Sequence, residues 1–231
     1  MNSDLLFPSL GSLEDLRPHF PSTLCPWTWL TSIAAALREM ENSLGLSDTE
    51  MLFVHHSAQV DPSARIAGPA LIGPGCRIGP GAFVRENVIC GNYCTIGHGC
   101  EVKNSLLLDG ATVAHRNYVG DSILGRGAHL GAGAVLANLR LDGENVRFQG
   151  PDGPEPTELR KCGSFLGDDA QVGCNAVLHP GTVLGQRAWV HATVAFSGYL
   201  AAKCEAVPAK SPVLRLRKFP DGTTSRDGVG E

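Results

Sequence analysis

Ile72-Gly73-Pro74-Gly75-Cys76-Arg77-Ile78-Gly79-Pro80-Gly81-Ala82-Phe83-Val84 places an aliphatic residue every six positions and a small residue four positions after each. The beat extends upstream to Val54, Val60 and Ile66, and downstream to Cys90, Ile96, Val102 and Leu108. The small slot holds Ala58, Ala64, Ala70, Cys76, Ala82, Val88, Cys94 and Cys100, and the same count places Leu106 and Thr112 there. Such a period identifies the hexapeptide repeat of a parallel β-helix, in which six residues make one short strand and one corner, and three units close a triangular coil. Each aliphatic side chain points inward onto its equivalent 18 residues away, burying apolar surface along a rod at about 25 cal/mol per Å². Glycine and proline at the corners supply unusual backbone angles and a fixed φ.

Beyond Leu108 the rhythm falters. The inward positions read as Val113, Val119, Leu124, Leu130 and Leu136, which shortens the steps from Leu108 and from Val119 to five residues. His115 stands between these slips, and the count predicts that they turn its ring outward. From Leu139 to Arg160 the beat is absent in a polar stretch containing Asp142-Gly143 and Gly150-Pro151-Asp152-Gly153-Pro154, an excursion of a length that often serves function. The rhythm returns at Leu166, Val172, Leu178, Leu184 and Val190. The expected class is all-β, with an inserted loop at 139–160 in a coil spanning 51–209.

Residues 1–50 read as an irregular arm followed by one amphipathic helix from Pro26 to Leu44, with Trp27, Leu30, Ile33, Ala34, Leu37 and Met40 on its apolar face. Its expected place is over the open end of the solenoid. Residues 210–231 form a polar tail whose Lys210, Arg215, Arg217 and Lys218 either are solvated or meet the phosphates of a cofactor.

Composition narrows the function. With 28 glycines, 15 prolines and only 6% aromatics, the chain describes many turns around a narrow interior. A net charge of −4 gives no basic footprint for nucleic acid. The apolar stretch Cys25–Leu37 is too short to span a bilayer. Eight cysteines without a Cys-x-x-Cys pair, several of them in the small slot, read as reduced packing residues of a cytoplasmic protein.

Glu101-Val102-Lys103-Asn104-Ser105, Ala114-His115-Arg116-Asn117-Tyr118-Val119-Gly120-Asp121-Ser122 and Leu130-Gly131-Ala132-Gly133-Ala134-Val135-Leu136-Ala137-Asn138 resemble the left-handed β-helix acyltransferases. The likeness is nearest to the acetyltransferase half of the bifunctional glucosamine-1-phosphate acetyltransferase/uridylyltransferases. Leu159-Arg160-Lys161-Cys162-Gly163-Ser164-Phe165-Leu166-Gly167-Asp168 is more similar to the archaeal-type sugar-1-phosphate enzymes. The resemblance covers roughly residues 26 to 209 and implies left-handed coiling and a homotrimer with its thioester donor between neighbouring rods. A glycine-rich nucleotide-binding segment is missing from the sequence, so nucleotidyl transfer is not expected.

The resemblance also implies roles. Acetyl transfer from acetyl-CoA to an amine needs a general base, and His115 occupies that position. Arg85 and Lys103 match positions that hold a sugar phosphate, and Tyr118 and Asn138 match positions that contact the acceptor sugar. His129 stands where the family shows asparagine, and Asn138-Leu139-Arg140-Leu141-Asp142-Gly143 replaces its Asn-Tyr-Asp-Gly, so the acceptor need not be glucosamine-1-phosphate. Ala132 and Gly133 would let backbone approach the pantetheine arm, and Arg215 and Arg217 would meet its phosphates. No metal is expected: a γ-class carbonic anhydrase typically needs two histidines five apart, which His55, His56, His98, His115, His129, His179 and His191 do not offer. Two other readings stand beside acetyl transfer: an acyl-carrier-protein-dependent sugar acyltransferase, since Val113-Ala114-His115 is also similar to that family's catalytic segment, and a non-catalytic trimeric scaffold that binds sugar nucleotides.

Overall fold

The computed structural model describes residues 1–44, 51–150 and 153–209. Strands of two or three residues stack into three parallel sheets, which form the three faces of a β-solenoid of about eight turns. The first face runs from Leu52–Val54 through Ala70–Ile72, Val88–Cys90, Ser105–Leu107, Ile123–Leu124, Ser164–Leu166 and Thr182–Leu184 to Tyr199–Leu200. The second includes Thr95–Ile96, Thr112–Val113, His129–Leu130 and Gln171–Val172; the third includes Phe83–Val84, Glu101–Lys103, Tyr118–Gly120 and Val135–Leu136.

The interior follows the six-residue logic. Ile72, Cys90, Leu107, Leu124, Leu166 and Leu184 stack from the first face, Ile78, Ile96, Val113, Leu130, Val172 and Val190 from the second, and Val84, Val102, Val119, Leu136 and Leu178 from the third. Cys76, Cys94, Cys100, Ala128, Ala134 and Ala170 fill the spaces beside them. All eight cysteines are free, and burial pushes the Cys100 and Cys162 thiols up, away from nucleophilic chemistry.

The register corrects the sequence reading at one point. Leu107, not Leu108, lies on Cys90, and Ser105, not Leu106, takes the small slot beside Val88. The first shortened step therefore runs from Val102 to Leu107 through Lys103-Asn104, and the second from Val119 to Leu124 through Gly120-Asp121. Both fall at the corner that joins the third face to the first, one coil apart. The corner carrying His115 joins the second face to the third and keeps its full count, so the slips do not turn that ring outward. Three consecutive leucines hid the register, because each satisfies an apolar beat.

Leu106 and Leu108 instead belong to a second core outside the coil. On the first face the residue before each inward position points outward, and Ile89, Leu106, Ile123, Phe165 and Val183 form an apolar ladder. Helix α1 (Pro26–Leu44) lies on it, burying Trp27, Trp29, Leu30, Ile33, Ala36 and Leu37. This corrects the expectation of an end cap: the helix flanks the rod, because the ladder offers apolar surface along its length. The first 25 residues are not an irregular arm either. Two 3₁₀ turns, Ser3–Leu5 and Gly11–Leu16, bury Leu6, Phe7, Leu10, Leu13 and Phe20 under the helix. The Trp29 indole donates to the Pro21 carbonyl at 3.0 Å.

The excursion leaves the coil after Asn138 and rejoins it at Ser164, so 42 residues separate Ile123 from its partner Phe165. Within it, Arg147–Gly150 and Gly153–Pro156 pair as an antiparallel hairpin. Its Phe148 is fully buried against Trp27 and Tyr199, with ring centroids at 5.3 and 6.4 Å. Among the described residues, no helix is long and apolar enough to cross a membrane.

Trp27→Ala would open a void where helix, hairpin and rod meet. The expected cost is about 3–5 kcal/mol, the range for large aromatic truncations in cores, read as a lowered denaturant midpoint with intrinsic fluorescence and circular dichroism.

Candidate active site

His115 is solvent-exposed at the corner between the second and third faces. At the equivalent place other coils carry Pro80, His98, Ala132, Cys174 and Ala192. What distinguishes this corner is the small slot, where Asn117 replaces alanine or cysteine and is only 3% exposed. Its Oδ1 accepts from the His115 backbone N–H at 2.9 Å, and its Nδ2 donates to the carbonyls of Gly131 at 2.7 Å and Ala134 at 3.2 Å. A buried amide with donors and acceptor engaged fixes the backbone on which the histidine stands. Arg116 takes the left-handed conformation at φ 49°, where neighbouring coils use Gly99 and Gly133. Ala132 and Gly133 lie one coil further on, and the Gly133 N–H donates to the His115 carbonyl at 2.8 Å.

The other end of the same strand reaches the shortened corners. Removal of one residue from each pulls polar side chains inward, leaving Lys103 9% and Asp121 5% exposed, and Asn138, where the next coil opens into the excursion, is 9% exposed beside them. Lys103 Nζ donates to Asp121 Oδ2 at 3.1 Å, Asn104 Nδ2 donates to Asp121 Oδ1 at 2.8 Å, and Asn138 Nδ2 also donates to Asp121 Oδ2. Asp121, like Asn104, has positive φ, a conformation that aspartate and asparagine tolerate better than most residues. Behind them runs a serine ladder: Ser122 N–H donates to Ser105 Oγ at 3.1 Å, and Ser164 N–H to Ser122 Oγ at 2.9 Å.

Tyr118 links the two ends. A Cβ on Gly120 would lie 2.7 Å from the Tyr118 hydroxyl and 2.6 Å from Asn138 Nδ2, so glycine leaves the room both groups occupy. Tyr118 also pairs in register with Glu101. Glu101 accepts from Arg85 Nη1 at 3.0 Å, and Glu86 accepts from Arg85 Nη2 at 3.3 Å. The hydrogen bond that Arg85 donates to Glu101 raises the pKa of Arg85 above its ordinary value.

The expected site residues thus divide. Arg85, Lys103, Tyr118 and Asn138 gather at one corner. His115, Ala132 and Gly133 share the other, at the opposite end of the strand Tyr118–Gly120. His129 lies on the second face between Thr112 and Gln171, beside a groove of about 310 Å³ that Cys174, Trp189 and His191 also line. Arg215 and Arg217 lie outside the described residues. Asn117, Asp121 and Glu101 were assigned no role from sequence. The signal for Asn117 was an amide in a slot otherwise held by small residues, and the signal for Asp121 was its position in a shortened step. Among the described residues there is no group of three or more histidine, cysteine, aspartate or glutamate side chains placed to hold a metal ion.

Coil, repeat and corners define a hexapeptide-repeat protein with the left-handed parallel β-helix architecture. Its curated homologues are bifunctional sugar-1-phosphate nucleotidylyltransferase/acetyltransferases. A family profile described as the GMPPB C-terminal domain matches residues 66–151. The bifunctional sugar-1-phosphate nucleotidylyltransferase/acetyltransferase of Sulfurisphaera tokodaii is 30% identical over 173 residues, covering 72% of this chain and 43% of the relative. The bifunctional protein GlmU of a Cyanothece species is 31% identical over 169 residues, covering 72% of this chain and 34% of the relative. The chain therefore spans less than half the length of these relatives. A solved N-acyltransferase, AntD from Bacillus cereus, aligns at 18% identity over 78% of this chain and 90% of that one, with a TM-score of 0.40.

Asn117→Ala would keep the small slot filled as in other coils while stripping the His115 N–H of its partner and leaving the carbonyls of Gly131 and Ala134 with their backbone donors alone. The expected loss is about 1–3 kcal/mol, the cost of leaving one backbone donor without its partner, measured by chemical denaturation.

Proposed function

We propose that the chain is an acyltransferase that moves an acetyl group from acetyl-CoA to the amine of an amino-sugar phosphate, in the supply of nucleotide-sugar precursors. The observation that carries this reading is the single short strand with an exposed, backbone-anchored histidine before it and a buried Lys103–Asp121–Asn138 corner after it. His115 is the general base: its imidazole takes the proton from the attacking amine, nitrogen bonds to the thioester carbonyl carbon, and the tetrahedral adduct collapses with release of the CoA thiolate. The thiolate recovers a proton, so acetyl-CoA and amine become amide and free thiol. Tyr118, Asn138 and Lys103 bind the acceptor, Lys103 through the phosphate. Arg85 joins them once the phosphate competes with Glu86 and Glu101 for its guanidinium. Ala132 and Gly133 pass the pantetheine arm, and His129 contributes to acceptor choice from the second face. Arg215 and Arg217 hold the phosphates of CoA.

Homology to bifunctional nucleotidylyltransferase/acetyltransferases supports the class of reaction. We place the protein in the cytoplasm, where acetyl-CoA is made and its eight free thiols stay reduced. The working form is a homotrimer with donor sites between rods. Support for this comes from the covering of one face only: among the described residues the helix lies on the first face, while the second exposes Trp189 at 53%.

With acetyl-CoA and a panel of hexosamine-1-phosphates, thiol release is expected for at least one acceptor, and His115→Ala is expected to slow it roughly 10²–10⁴-fold. Equal rates for parent and variant would remove His115 from the chemistry, and no release with any acceptor would refute acetyl transfer. In sedimentation equilibrium the expected mass is that of three chains, and a monomer would refute the trimer.

A further inference from the structure

We propose that Asp121 is a positioning residue that makes Lys103 and Asn138 into a matched pair, an ammonium donor beside a bare carbonyl acceptor. This rests on the assignment of that corner to the acceptor. An ionised aspartate only accepts hydrogen bonds, so the side of the Asn138 amide facing Asp121 is its Nδ2, and Oδ1 is turned away. No hydrogen bond reaches Asn138 Oδ1 from the described residues, and Lys103 Nζ spends one of its three donors on Asp121. What remains presented is one acceptor and two donors. That combination recognises an anionic oxygen next to a hydroxyl or amine, as in a sugar phosphate with a neighbouring hydroxyl.

The shortened corners are what make the arrangement possible. In the full-length corner one coil earlier, Arg85 remains partly exposed and pairs with Glu86 and Glu101 on the surface. With one residue fewer, Lys103 turns in to meet Asp121, and Asn104 supplies a third donor to the same carboxylate. Arg85 and Lys103 face three carboxylates, those of Glu86, Glu101 and Asp121. Bulk positive charge therefore does not account for anion recognition here, and the direction in which donors point must do so.

Asp121→Asn tests this, because the isosteric amide fills the same space but cannot accept from Lys103, Asn104 and Asn138 together. Titration calorimetry with glucosamine-1-phosphate and with inorganic phosphate, and steady-state kinetics where turnover occurs, are the readouts. D121N is expected to weaken acceptor binding about tenfold or more, as loss of a charge-assisted hydrogen bond would, while the KM for acetyl-CoA stays within about twofold. The exchanged variant D121N/N138D, which restores one carboxylate beside one amide, is expected to recover most of the loss. Asp109→Asn, which removes a carboxylate bonded to Ser12 and Asn92 far from this corner, controls for general destabilisation. Acceptor affinity unchanged in D121N, or lost equally in D109N, would overturn the proposal. If D121N does not fold, the exchanged variant decides alone: acceptor binding within about fivefold of the parent supports the assignment, and its loss in a folded variant overturns it. A parent that binds glucosamine-1-phosphate without acetylating it would refute acetyl transfer and leave Asp121 to be judged by the isotherms. A parent that binds neither probe would refute both.

Discussion

Every coil must lay its inward side chains on those of the coil below, about 4.8 Å away. That constraint leaves the strands no freedom, since a residue added to or removed from a strand would turn its aliphatic side chain out and a polar one in. All variation in length is therefore forced to the corners. In this chain it is concentrated further, at the corner between the third and first faces: two successive coils lose a residue there, and the next opens into the excursion after Asn138. The same corner collects Lys103, Asp121 and Asn138, because a shortened or interrupted turn is where a side chain can leave the alternation between core and solvent.

Polar groups brought in this way must be paired, and the pairing gives the site its order. Asn117 answers for three backbone groups around His115, Asp121 for three side-chain donors, and the hydroxyls of Ser105 and Ser122 for the backbone N–H groups of Ser122 and Ser164. In a low-dielectric interior such networks hold their members to one geometry, and an unmet donor or acceptor is costly. The site is thereby built on rigid backbone and buried amides rather than on mobile loops, which suits chemistry that depends on the approach of an amine to a thioester.

The coil was legible in the sequence because period six is written in residue types that only an interior requires: Ile72, Ile78 and Val84 with Cys76 and Ala82 between them. The corner register was not. Leu106-Leu107-Leu108 satisfies the beat in any of three frames, and only pairing with Cys90 selects Leu107. The N-terminal 25 residues lacked any period because they pack as isolated anchors, Phe7, Leu10 and Phe20, on a surface built by distant strands. A residue such as Ile89 or Phe165 showed nothing of that role, since outward strand positions are usually wet. Of the site, the cations, the tyrosine and Asn138 were found through likeness to relatives. Asp121 was overlooked because its importance lies in how many partners converge on it, a property of the folded corner and not of any local spacing.

Stacked repeats ordinarily touch only their immediate neighbours, so a rod of this kind can fray from either end one turn at a time. The N-terminal segment removes that option for the turns from Asp109 to Gln186. Ser12 bonds to Asp109, the Leu6 carbonyl accepts from the Asp168 backbone, the Leu5 carbonyl accepts from Gln186, and the amino terminus pairs with Glu155. These attachments reach several turns of the stack, those at Asp168 and Gln186 being neighbours and that at Asp109 lying further along, like a splint tied at several heights. The middle of the stack is thereby bound to open as one cooperative body, and a protease or a mechanical load there would meet several turns at once instead of the weakest one.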